Sequence, residues 1–139
     1  MLGGFNALLS YAEDQDLVAR LVNHLGVLGG IDAVLTGYRF SPDGLSMNLE
    51  HMYAGWRTVA LQFLSHDELR PLDALYCRYM ARRVLRAAGS PQQSLKFAFA
   101  GLRLDAATFL QDRKRGVGTL IAALMAPLVP ALLRQRIFA

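Results

Sequence analysis

The chain has 139 residues, enough for one domain with its own core, and its 53% hydrophobic and 19% charged residues exclude an intrinsically disordered polymer. A net charge of +4 and a sequence pI near 9.6 invite a nucleic-acid partner. The basic residues are not interleaved with aromatics, however, and no helix-turn-helix or finger spacing accompanies them, so no nucleic acid is expected.

Read in chain order, the first segment carries no apolar run of the signal-peptide kind, because Glu13, Asp14 and Asp16 fall where such a run would continue. Leu17, Val18, Leu21, Val22 and Leu25 recur at helical spacing, which predicts a helix from Glu13 to Gly26, with the three acidic residues in its first turn favoured by the helix dipole. Ile31 to Phe40 reads as a strand closed by the turn Ser41-Pro42-Asp43-Gly44. Beyond it the pattern is helical. Met47 to Leu64 presents Leu49, Met52, Tyr53, Trp56, Val59, Ala60 and Phe63 on one face. Ser65, with Glu68 three residues later, has capping-box spacing and opens a helix to about Ala88. Ser90-Pro91-Gln92-Gln93 repeats the device for a helix to about Gly101. Asp105 is placed to cap a short helix to Lys114, and Gly116 to Leu133 forms a last apolar segment. The fold class expected is α+β and mostly helical: one or two short strands followed by about four helices, in a single domain with a motif region over 1–46 and a helical tail over 47–139.

The last segment is uncharged between Arg115 and Arg134 but contains Pro127 and Pro130, so a core-packing helix or a helix lying in the membrane interface is expected, not a span. Arg82, Arg83 and Arg86, then Arg113-Lys114-Arg115, place the positive charge late in the chain. Cys77, the one cysteine, lies in an apolar-periodic run and reads as a small core residue. That usage fits a cytoplasmic protein, with peripheral placement at the inner face of a membrane as an extension.

One ordered set of residues carries more information than the rest: Gly3-Gly4-Phe5, Glu13-Asp14, Asp16-Leu17, Arg20, Tyr38-Arg39 and Ser46. In order and interval it resembles the acceptor side of family 2 glycosyltransferases of the GT-A type. The resemblance runs from about Gly3 to Ser46. It implies Asp14 as the general base that deprotonates an acceptor hydroxyl, with Glu13 and Arg20 as supports, and Tyr38, Arg39 and Ser46 as walls of the acceptor or diphosphate cleft. Relatives place a histidine two residues beyond the Tyr-Arg pair, where this chain has Ser41. It implies a nucleotide sugar as donor and a glycan or lipid-linked acceptor as partner, with Mn²⁺ or Mg²⁺ in a complete enzyme but no cofactor held by this chain. His24, His51 and His66 lack ligand spacing, so no metal residues are assigned. The nucleotide-binding part that the family carries ahead of this motif is expected from a separate chain, or the chain is an inactive remnant. An exposed edge at the predicted strand further implies a homodimer or partner chain. The alternative from another class is a small helical interaction or membrane-interface protein in which the acidic residues only complement the helix terminus.

Overall fold

In a computed structural model, which describes residues 2–37, 44–87, 89–130, 133 and 137, the chain divides into two compact units, Met1–Phe63 and Leu64–Ala139. Over the described residues the α-helices are α1 (Glu13–Leu25), α2 (Leu49–Ala60), α3 (His66–Arg86), α4 (Pro91–Leu104), α5 (Ala106–Leu110) and α6 (Arg113–Met125). Short 3₁₀ turns at Leu45–Met47 and Ala126–Leu128 precede α2 and follow α6. No strand occurs among the described residues. The α+β expectation is therefore corrected to an all-α architecture.

The predicted strand shows why. Residues 31–37 are irregular and exposed, and the Ala33 N–H donates to the Ile31 carbonyl at 2.9 Å, a turn contact that an extended strand does not make. Residues 38–40 of that prediction lie outside the described residues, as does most of the turn that follows them. β-branched residues favour a pleated surface only where a neighbouring strand takes up the backbone hydrogen bonds. With no partner strand among the described residues, Ile31, Val34 and Leu35 stay in solvent. The edge from which a homodimer was expected is not formed over 31–37.

In the unit Met1–Phe63, α1 starts at Glu13 as predicted and stops at Gly26, whose φ of 81° suits glycine and whose N–H donates to the Val22 carbonyl. Its apolar stripe is only half covered, with Val18, Val22 and Leu25 exposed. The buried residue of α1 is Asp16. Tyr11, just ahead of α1, is pressed onto α2: its ring lies 5.5 Å from that of His51, and a Cβ on Gly55 would stand 2.8 Å from the Tyr11 Cβ. Leu49 and Val59 are the buried residues of the predicted α2 face.

The unit Leu64–Ala139 holds most of the core. Ser65 accepts from the Glu68 N–H while the Glu68 carboxylate accepts from the Ser65 N–H at 2.9 Å, completing the predicted capping box. Donation to the carboxylate from the Ser65 hydroxyl, at 2.7 Å, and then from the Ser65 N–H holds the Glu68 carboxyl below its ordinary value of 4.5. A depressed folded pKa contributes stability that is present above the unfolded value and is lost as pH falls through the folded one. Thermal melts on either side of the carboxylate range are thus expected to show a smaller acid-induced loss for Glu68→Gln than for the wild type; equal losses contradict the assignment.

Leu69, Ala74, Cys77, Met80, Ala81, Val84 and Leu85 form the buried side of α3, against Phe97 and Ala98 of α4. Small residues let the two helices approach: Ser94 Oγ donates to the Ala81 carbonyl at 3.1 Å, and a Cβ at Gly101 would stand 3.0 Å from the Ala74 carbonyl oxygen. Ser90 does not cap α4. Its hydroxyl donates to Gln92 Oε1 at 2.6 Å, while Pro91 at the first helical position lacks an N–H that would have no helical partner anyway. Asp105 caps α5 as expected, accepting from the Thr108 N–H at 2.9 Å, but a second cap, Asp112 on the Arg115 N–H, restarts the helix as α6. The segment expected to run unbroken to Lys114 is thus two helices. Between the two caps Phe109 is fully buried against Gly101 and Gly116. α6 ends at Met125, ahead of Pro127, where proline would deny the ladder an N–H.

Candidate functional site

The motif residues of the N-terminal unit are held together by Arg20. Its Nε and one terminal nitrogen donate to Asp16 Oδ2 at 2.9 and 2.7 Å, and its terminal nitrogens also donate to the carbonyls of Leu2 and Gly4, the latter at 2.7 Å. Gly3 and Gly4, at φ of 70° and 71°, turn the chain so that those carbonyls face the guanidinium. Asp16 is 1% exposed and Arg20 26%, so this is a largely buried charge pair with extra acceptors on the cation. Arg20 was expected to steady the site by pairing with a carboxylate or phosphate; the carboxylate it holds is that of Asp16, one turn before it on the helix.

Glu13 and Asp14 project from the first turn into solvent. Asp14 Oδ1 accepts from the Gln15 N–H at 2.8 Å. Ahead of them Ala12, the one non-glycine residue with positive φ among the described residues (62°), sets the entry angle of α1 without a side-chain cap. Ser46 lies half-buried in the 3₁₀ turn Leu45–Met47. Tyr38 and Arg39 lie outside the described residues.

The divalent ion that the resemblance implies for a complete enzyme finds no ligand set here: among the described residues no three His, Cys, Asp or Glu side chains come together. The Asp14-Gln15-Asp16 triplet does not fit one, because Asp16 is turned into the interior and engaged by Arg20. No chemical step is assigned to a metal on these residues.

A second constellation, in the unit Leu64–Ala139, was not anticipated as a unit. Arg78, Arg82 and Arg86 recur every four residues on α3, and Lys114 and Arg115 approach from α6. They line two adjoining cavities of 260 and 320 Å³ that share Arg82 and Arg86. Burial, and then the neighbouring Arg86, Arg115 and Arg78, push the Arg82 guanidinium below its ordinary pKa, with Asp112 acting in the opposite sense. The sequence signal was the four-residue spacing on α3; only the fold brings the α6 pair beside it.

No family model matches this sequence, and the searches of curated proteins and of solved structures likewise gave no match. No helix among the described residues is long and apolar enough to cross a membrane.

Proposed function

We propose that the chain acts on the acceptor side of a sugar transfer of the family 2 glycosyltransferase kind, with Asp14 as general base and Glu13 beside it. The observation that carries this reading is the Arg20 brace. Three separated parts of the ordered set, the Gly3-Gly4 turn with the adjoining Leu2 carbonyl, Asp16 and Arg20, close into one hydrogen-bonded unit that leaves Glu13 and Asp14 facing outward. A base needs such a support, because proton abstraction demands a carboxylate held within hydrogen-bond reach of the attacking hydroxyl. The acceptor hydroxyl gives its proton to Asp14 as its oxygen attacks the anomeric carbon of a nucleotide sugar, and the nucleoside diphosphate departs with the bonding pair. The donor would be held by residues outside the Glu13–Arg20 unit, on a separate nucleotide-binding chain. The proposed setting is the cytoplasm, where Cys77 stays reduced.

When sugar transfer is reconstituted with a nucleotide-binding chain, Asp14→Asn is expected to lower kcat by about 10²- to 10⁴-fold while folding survives. A loss below about tenfold removes Asp14 as the base. The contact of Asp14 with its own Gln15 N–H favours a second reading, in which both acidic residues serve the helix terminus alone. In that case transfer persists in the variant.

A further inference from the structure

We infer that the α3–α6 face of the unit Leu64–Ala139 docks on an anionic phospholipid surface, with the arginine groove taking lipid phosphates and the outer face of α6 entering the boundary of the acyl chains.

The groove concentrates charge of one sign. Cations at i and i+4 repel, and Arg78, Arg82 and Arg86 do so twice over before Lys114 and Arg115 are added. Arg78 donates to the Phe109 carbonyl at 2.7 Å, and Arg115 pairs with Asp112 at 3.3 Å in the open. Among the described residues no hydrogen bond or ion pair engages Arg82, Arg86 or Lys114, so three cations point into the groove with donors to spare. Guanidinium forks match the oxygens of a phosphate, and a groove of this size holds a headgroup.

The second observation, independent of charge, is what lies beside the groove. At about 100° per residue, Lys114, Gly118 and Ala122 mark the groove side of α6, whereas Val117, Ile121 and Leu124 fall on the neighbouring outward face. All three are exposed, Ile121 by 56% and Leu124 by 49%. A free phosphate would satisfy the groove and leave this stripe in water. A bilayer surface satisfies both, and a helix with an apolar face bordered by lysine and arginine is the kind that lies in the interface plane. Charge complementarity thus selects anionic lipid as the occupant.

Co-sedimentation of the full chain with phosphatidylcholine vesicles, with and without phosphatidylglycerol, tests this. The chain is expected to pellet with the anionic vesicles and to stay in solution with the neutral ones. Arg82→Gln with Arg86→Gln is expected to weaken partitioning about fivefold for each charge removed. Ile121→Ser with Leu124→Ser should weaken it about tenfold or more. Far-UV circular dichroism should be unchanged in both variants. Equal binding to neutral vesicles, or binding that neither variant reduces, overturns the proposal. It is overturned equally if inorganic pyrophosphate binds in an arginine-dependent way while vesicles do not, or if the stripe is covered by a second copy and the chain is a dimer that ignores vesicles.

Discussion

Arg20→Ala is expected to destabilise the N-terminal unit by about 3 kcal/mol, because it leaves the Asp16 carboxylate buried and uncompensated. The magnitude sits at the lower end of the range for broken buried pairs because Arg20 is itself a quarter exposed, so water relieves part of the cost. The same change releases the carbonyls of Leu2 and Gly4, so protection of amides ahead of α1 should fall with it. Adding Asp16→Asn to Arg20→Ala should recover part of the loss, since a neutral amide is cheaper to bury than a carboxylate. Urea unfolding of the single and double variants measures the coupling. A cost for Arg20→Ala below about 1 kcal/mol would mean that the pair behaves as a surface ion pair and does not rigidify the turn that bears Asp14.

The second large effect separates two glycines on one helix. A Cβ at Gly116 would stand 2.6 Å from the Phe109 carbonyl oxygen and 2.9 Å from Leu110 Cα, both backbone, so Gly116→Ala requires the α5–α6 corner to move. Overpacking of that kind costs about 2–3 kcal/mol. At Gly118 an added Cβ meets nothing within 4 Å, and Gly118→Ala should instead stabilise α6 by about 0.5–1 kcal/mol, the ordinary gain from replacing a helical glycine. Melting both variants by circular dichroism tests the seating of Phe109: opposite signs are expected, and equal shifts contradict it.

Local chemistry was legible wherever a few adjacent residues decide the outcome. The capping box at Ser65 and Glu68, the Asp105 cap, the glycine stop of α1 and the burial of Cys77 all follow from short-range spacing. Apart from the Ser90 cap and the break between α5 and α6, what failed depended on partners distant in the chain. The strand over 31–40 required a neighbour to pair with, and the described part of it has none. The apolar stripe of α1 gave a correct helix whose Val18, Val22 and Leu25 stay exposed, because hydrophobic periodicity states which face could be buried but not whether anything covers it. Ser90 had the right type at the right position, yet its hydroxyl turned to Gln92. At the candidate site, the order of Gly3-Gly4, Asp16 and Arg20 was visible, but not that Arg20 would choose Asp16 and the backbone carbonyls over Glu13 or Asp14. The arginines of α3 were visible as a spacing; their meeting with Lys114 and Arg115 depends on the corner at Phe109 that folds α6 back onto α3.

Under the proposed function, Glu13 and Asp14 meet an acceptor sugar while the donor nucleotide is bound elsewhere. Saturation-transfer NMR on the purified chain tests it, with a panel of glycan oligosaccharides in one arm and UDP-, GDP- and dTDP-sugars with Mn²⁺ in the other. The account predicts glycan signals that weaken in Asp14→Asn without loss of helicity, and no nucleotide-sugar signal at millimolar ligand. Nucleotide-sugar binding by the chain alone, or glycan signals indifferent to Asp14, would contradict it.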